Sequence, residues 1–292
     1  MISVVPRRSI WYTISMVTVV ASIAAVGFWG LNFGIDFTGG SLMELAFSGE
    51  RPPTSELQRR ITDLGATRVK AQVSGDRSAI IRAAPMAQEV HQRIVDAFAS
   101  QAVERRYESI GPSVGQELAR KTVIGVLLAI IVIVCYVAWV FRKAGKLVSS
   151  WMYGFVALVA MAHDVIIPIG VFAVLGTFRG AEIDAPFIAA VLTILGYSIN
   201  DTIIVLDRVR ENVHVLRAKP FPEIVETSVH QSFARSMNTT LTTILALVAV
   251  ILFGGESIRA FALALAIGIG VGAYSSIFIA APLLVTWQQR RQ

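Results

Sequence analysis

The sequence predicts an α-helical multi-pass membrane protein with six transmembrane helices and one α+β domain inserted between the first and second helices. Three observations predict it. Hydrophobic residues make up 54% of the 292 and charged residues 16%, with a positive mean hydropathy, a composition that excludes an ordinary soluble protein. Apolar stretches at 10–30, 122–141, 151–176, 186–206, 237–254 and 259–286 match the roughly 20 residues that cross ~30 Å of hydrocarbon as helix. The large polar segment lies between the first two of them, so the chain divides into 1–31 (N-terminus and first span), 32–121 (α+β domain) and 122–292 (five further spans with their connectors and tail).

Charge sets the sidedness. Arg7 and Arg8 precede the first span, Arg142, Lys143 and Lys146 follow the second, and Arg208, Arg210, Arg217, Lys219 and Arg235 follow the fourth. Arg290 and Arg291 close the chain, whereas the short connections on the other side offer Arg179 and Arg259. Short basic loops stay in the cytoplasm, which predicts both termini inside and residues 32–121 on the outer side. The same clustering beside apolar runs assigns the net charge of +6 to membrane orientation and predicts no nucleic-acid partner. Trp11, Tyr12, Trp29, Trp151, Tyr153 and Trp287 fall at span ends, where amphipathic rings suit the interface. The first span is too long for the apolar core of a cleaved signal peptide and reads as a retained helix.

Within 32–121, Ser41–Phe47 alternates as a strand, and Thr54–Leu64 is an amphipathic helix with Thr54 expected to cap it. Arg68–Val73 and Ser78–Ala83 are strands joined by a Gly75–Asp76 turn, Ala87–Ala99 is a second helix and Val103–Ile110 a final strand. The resulting βαββαβ order is that of a ferredoxin-like split arrangement, and it reads as a binding or docking module. It is entered through GIDFTGG, where Gly34, Asp36, Gly39 and Gly40 suit a tightly turned junction. It is left through SIGPSVGQEL, where Gly111 and Pro112 stop the strand and Ser113 with Gln116 forms an expected capping box. Both read as hinge or junction motifs.

Chemistry concentrates in the spans. Asn200 and Asp201 lie in the fourth, in GYSINDTIIVLDRVREN, and an ionisable residue at membrane depth marks a functional site by default. Thr193, Gly196 and Asn200 share one helical face with Asp201 adjacent to it. The fifth span opens with a polar stripe of Arg235, Asn238 or Thr239, and Thr242, entering from the same side as Asp201. An Arg235–Asp201 pair across neighbouring helices would lower the cost of both charges, either as a working site or as a static ion pair that fixes packing. The third span carries His163 and Asp164, with Pro168 one turn later, again as a functional or a structural pair. Gly268 and Gly272 in the sixth span form a GxxxG packing face, for a partner subunit or for a helix of the same chain. The connector after the fourth span, from Arg208 on, reads as a cytoplasmic amphipathic segment. Cys135 lies in an apolar run and reads as a packing residue. No nucleophile–base constellation, metal-ligand spacing, phosphate loop or dinucleotide fingerprint is present, so the chain reads as a non-enzyme with no metal and no cofactor, its energy source an ion gradient.

The motifs GIDFTGG, SIGPSVGQEL, AHD (162–164), GYSINDTIIVLDRVREN and SFARSMNTTLTT, in that order along essentially the whole chain, resemble the SecF family, the smaller membrane subunits of the bacterial SecD–SecF accessory complex of the protein translocase. The resemblance implies half of a resistance-nodulation-division membrane core in the cytoplasmic (inner) membrane, with a SecD-like subunit as the other half. It further implies the Sec translocon and exported unfolded polypeptides as partners, use of the proton-motive force to assist export, and Asp201 and Arg235 as proton-relay residues. Asn200, Asp164, Asn238, Thr239 and Thr242 then read as supporting polar residues of the membrane core. A proton-coupled small-solute transporter and a non-energised assembly scaffold are the alternative readings.

Overall fold

The computed structural model describes residues 3–143 and 149–290; Lys146 and Arg291, two of the basic residues that set the expected sidedness, lie outside the described residues. Among the described residues, six helices are long and apolar enough to cross a membrane. They are α1 (Arg8–Trp29), α5 (Pro112–Val140), α6 (Ser150–Arg179), α7 (Ala185–Val215), α8 (Phe221–Phe253) and the run Ile258–Arg290, which comprises α9 (Glu256–Ser275), a π-helical turn (Ser276–Ala280) and α10 (Ala281–Arg290). Between α1 and α5 come a short α2 (Ile35–Thr38), β1 (Gly40–Phe47), α3 (Thr54–Asp63), β2 (Lys70–Ser74), β3 (Ser78–Ala83), α4 (Gln88–Phe98) and β4 (Ala102–Ile110).

The chain forms two compact units. One comprises residues 32–124 and 182–185. Its sheet has the order β2-β3-β1-β4 with every neighbouring pair antiparallel, and a register shift between Glu44 and Leu45 bends the β1–β4 ladder. Strand alternation places Met43, Leu45, Phe47, Ala79 and Ile81 on the face that α3 and α4 cover with Leu57, Ile61, Ile94 and Phe98, and these pack as one core. The turn of the β2–β3 hairpin begins at Gly75, whose φ of +63° is the left-handed conformation expected there. Element order and boundaries match the expected βαββαβ pattern to within about two residues.

Two expected caps are corrected. Thr54 is the first residue of α3 rather than its cap; the Pro53 carbonyl accepts from the N–H groups of Glu56 and Leu57. Ser113 and Gln116 form no capping box, because α5 begins one residue earlier, at Pro112, with Gly115 donating to the Gly111 carbonyl. Proline's fixed φ suits the first helical position, so the membrane-length helix starts directly at the strand's end.

The two glycine motifs interlock. Gly39, at φ +70°, lies so near α5 that a Cβ there would stand 2.8 Å from the Pro112 Cα, and a Cβ on Gly115 would stand 2.9 Å from the Gly39 nitrogen. Ser41 and Ser109 join their hydroxyls across the same corner at 3.0 Å. The entry and exit of the domain therefore form a close-packed joint.

The other unit comprises residues 1–31, 125–181 and 186–292. The amphipathic connector after the fourth span is mostly helical: α7 continues to Val215 and α8 resumes at Phe221. Val205, Leu206, Val209 and Val213 bury against Phe221, Ile224, Val225 and Val229, and Asn212 donates to Ser228 at 2.8 Å and to Gln231 at 2.9 Å. Packed apolar faces, rather than propensity, hold such a helical hairpin together. The GxxxG face is satisfied inside this chain. A Cβ on Gly268 would collide with Ile194, and one on Gly272 would stand 3.0 Å from the Ser198 Cβ, so both glycines admit α7 to α9.

Gly268→Leu should force α7 and α9 apart at a cost of about 1–3 kcal/mol, read as a lower thermal midpoint of the detergent-solubilised chain. Gly39→Ala combines a left-handed backbone with a clash at Pro112; a midpoint equal to that of the unmodified protein would refute the interlocked joint.

Candidate functional site

Asp201 is 3% exposed in the middle of α7. Its Oδ2 accepts a 2.5 Å hydrogen bond from Ser236 Oγ on α8. Arg235 is exposed, and the ion pairs formed among the described residues do not join it to Asp201. The expected Arg235–Asp201 contact is thus replaced here by a serine one position further along α8. Helical periodicity explains the exchange: Ser232, Ser236 and Thr240 are buried at i, i+4 and i+8, while Arg235, Asn238, Thr239 and Thr242 lie on the exposed side. The Thr239 and Thr242 hydroxyls return to carbonyls of their own helix at 2.9–3.0 Å. On α7 the same division holds, with Thr193, Gly196 and Asn200 exposed and Ser198, Asp201 and Thr202 buried. Buried and exposed polar residues therefore alternate along both helices, and the predicted relay residues fall on opposite sides of that division.

Asp164, on α6, is fully buried. Its Oδ2 accepts from Ser198 Oγ on α7 and from Ser275 Oγ on α9, the latter at 2.7 Å, and its Oδ1 lies 2.9 Å from His163 Nδ1. One residue beyond Ser275, Ser276 shares a 2.8 Å hydrogen bond with Thr202, the residue after Asp201. Asp164 and Asp201 are thereby linked through two adjacent serines at the start of the π-helical turn. Residue spacing identified Asp164 and His163 but not the serines. A buried hydroxyl on an apolar helix has no distinguishing pattern, although the i, i+4, i+8 stripe of Ser232, Ser236 and Thr240 was available in the sequence.

The GIDFTGG junction has a defined role in the structure. Asp36 Oδ2 accepts from the N–H of Ala185, the first residue of α7, at 2.8 Å, and so caps the helix that carries Asp201. Phe33 and Ile183 pair as a short parallel bridge, with Gly34 donating to the Ile183 carbonyl at 2.9 Å. Glu182 pairs with Arg82 of β3. Burial nevertheless pushes the Glu182 carboxyl above the ordinary carboxylate range, with Arg82 opposing the shift and Asp184 and Asp36 adding to it. Among the described residues no group of three His, Cys, Asp or Glu side chains has a metal-binding arrangement.

Comparison with known proteins agrees with this architecture. The family described as "Protein export membrane protein SecD/SecF, C-terminal" matches residues 90–290, and the "SecD/SecF GG Motif" matches residues 26–50, which contain GIDFTGG. The protein translocase subunit SecF of Anaerolinea thermophila is 33% identical over 99% of this chain and 94% of its own, and that of Thermobaculum terrenum is 36% identical over 99% and 95%. The crystal structure of SecDF from Thermus thermophilus, described as a translocon-associated membrane protein, superposes with a TM-score of 0.84 at 36% identity. It covers 95% of this chain, which spans 37% of that longer polypeptide.

Asp36→Ala should cost about 1 kcal/mol by leaving the first turn of α7 uncapped, and Asp36→Asn should retain most of that, measured as thermal midpoints. For Glu182 the sign follows from the raised pKa: its contribution to stability is present below the ordinary carboxylate range and is lost as pH rises through the raised value. Thermal melts of wild type should therefore fall on going from acidic to neutral pH relative to Glu182→Gln; parallel curves would refute the assignment.

Proposed function

The chain belongs to the SecD/SecF family of protein-export membrane proteins, and from that membership we propose that it uses the proton-motive force to assist Sec-dependent export as half of a SecD–SecF core. The site reading places the proton on Asp201. The observation that supports it most directly is the burial of this carboxylate against a single hydroxyl, with a charged and polar stripe one residue away on an uncovered membrane face. Thr193, Asn200, Arg235, Asn238 and Thr242 on that face are costly against lipid, so a SecD-like subunit is the partner proposed to cover them. The SecDF polypeptide of Thermus thermophilus matches this chain at 37% identity over 35% of its own length, an arrangement that leaves room for a SecD part in the same molecule.

In this reading Asp201 alternates between its ionised and protonated forms as water reaches it along the partner interface. A protonated carboxyl donates to Ser236 or accepts from it, and an ionised one accepts only, so the α7–α8 contact depends on the protonation state. Arg235 precedes Ser236 by one residue, about 100° around α8, and in this reading its long side chain swings across that arc to replace Ser236 as the partner of Asp201. Such an exchange alternates a neutral hydrogen bond with an ion pair, the kind of bistable contact by which a proton drives a conformational change. One proton moved through 100 mV is worth about 2.3 kcal/mol, which biases a two-state equilibrium about fifty-fold. The proposed setting is the bacterial inner membrane, with both termini cytoplasmic and residues 32–121 outside, where Asp36 ties the emerging domain to the start of α7. The translocon and unfolded export clients are the further proposed partners.

Asp201→Asn, co-expressed with a SecD-like subunit, should abolish gradient-dependent stimulation of export in inverted vesicles while leaving assembly intact. Normal stimulation in that variant sinks the relay. Arg235→Lys keeps charge without the planar fork and should give partial loss; full activity would remove geometric pairing from the cycle.

A further inference from the structure

His163 and Asp164 form an enclosed polar cluster of the membrane unit, and the relay described above does not use them. Both are buried, at 5% and 0% exposure. The two carboxylate oxygens are fully engaged, Oδ2 by the hydroxyls of Ser198 and Ser275 and Oδ1 by His163 Nδ1. The ring's other nitrogen is not: His163 Nε2 is buried with no hydrogen-bond partner among the described residues. Tyr274 of α9 stacks near the ring, centroids 6.1 Å apart, and its hydroxyl donates to the Trp11 carbonyl on α1 and accepts from Ser15.

The helices are irregular at this point. Pro168 stands four residues after Asp164 inside α6, so the Asp164 carbonyl has no helical N–H to accept from. Facing it, α9 gives way to the π-helical turn directly after Ser275. Such turns recur at functional sites because they alter backbone hydrogen bonding without ending the helix. A static packing pair requires none of these features.

We infer that His163 and Asp164 are a second proton-holding site, coupled to Asp201 through Ser198, Ser275 and Ser276. With Nδ1–H donating to Asp164, the neutral ring leaves Nε2 as an acceptor, and the pair carries one negative charge. One proton taken up at Nε2 gives an imidazolium beside a carboxylate, and the net charge becomes zero; its release at the same atom restores the first state. No bond other than N–H forms or breaks. Among the described residues, the titratable groups that face the pair are Tyr274 on α9, whose ring lies over His163, and Asp201 on α7, within electrostatic reach of Asp164. Of these, Asp201 is joined to the cluster along α7, since Ser198 lies one turn before it and Thr202, bonded to Ser276, directly after it. A change of charge at His163 thus reaches the two hydroxyls that fix α7 against α9.

The inference rests on the relay reading for the use made of the proton, but not for the proton's binding. The test is nitrogen-15 histidine magnetic resonance on the full chain with its SecD-like partner in lipid vesicles. The chain holds four histidines, so loss of a signal in His163→Gln identifies the ring. In wild type the ring should be found in both its neutral and its doubly protonated form as the pH of the vesicles is varied. That transition should be lost in Asp164→Asn and displaced in Asp201→Asn. A wild-type ring that stays neutral throughout overturns the site, and that measurement needs no variant beyond the assignment. A transition identical in Asp164→Asn overturns the pairing, and one unmoved in Asp201→Asn overturns the coupling. Asp201→Asn vesicles that still show gradient-driven export would sink the relay while leaving the His163 titration to stand or fall by itself.

Discussion

Two carboxylates inside an apolar bundle need hydrogen-bond donors, and in this chain the donors are serine hydroxyls reaching from neighbouring helices. An unsatisfied buried carboxylate costs several kcal/mol, so the packing of α6, α7, α8 and α9 has to bring those hydroxyls within reach. That requirement explains the small residues. Gly268 and Gly272 let α7 approach α9 closely enough for Ser198 and Ser275 to share one oxygen of Asp164. Gly170, which leaves no room for a Cβ beside Ser22, does the same for α1 on α6. In lipid the helices gain little from the hydrophobic effect on association, which leaves close packing and these hydrogen bonds to hold them.

The polar domain is built on a different economy. Its sheet and two helices bury a conventional apolar core around Met43, Leu45, Leu57, Ile61, Ile81 and Ile94, and need no help from charges. Its distinguishing contacts lie in the joint at its base. Gly39 against Pro112, Ser41 with Ser109, and Asp36 at the start of α7 bring both glycine motifs and the 182–185 loop into one unit. The buried Glu182 with its two carboxylate neighbours makes the same joint sensitive to pH.

Six apolar stretches, the βαββαβ order and the outlying Asp201 and Asp164 were all legible in the residues, because each depends on local periodicity or on a cost that any membrane imposes. What could not be read were the partners. Arg235 and Asn238 are conspicuous by type, yet the residue that meets Asp201 is Ser236, whose hydroxyl is unremarkable in a run of serines and threonines. The helical extensions through Asn212 and Phe221 were likewise masked by charge, since a solvated connector and the outer face of a packed hairpin have the same composition.

The sequence by itself determined the membrane class, the spans, the order of the inserted domain and which side chains are too polar for their surroundings, since these follow from spacing along one helix or strand. The tertiary structure decided which of those side chains are enclosed and which lie open. It put Asp201 and Ser236 inward with Arg235 outward, and closed Asp164 behind Ser198, Ser275 and His163. The physical reason is that a helix face becomes an interior only when another helix covers it. Which helix does so depends on close approach at glycines far apart in the chain.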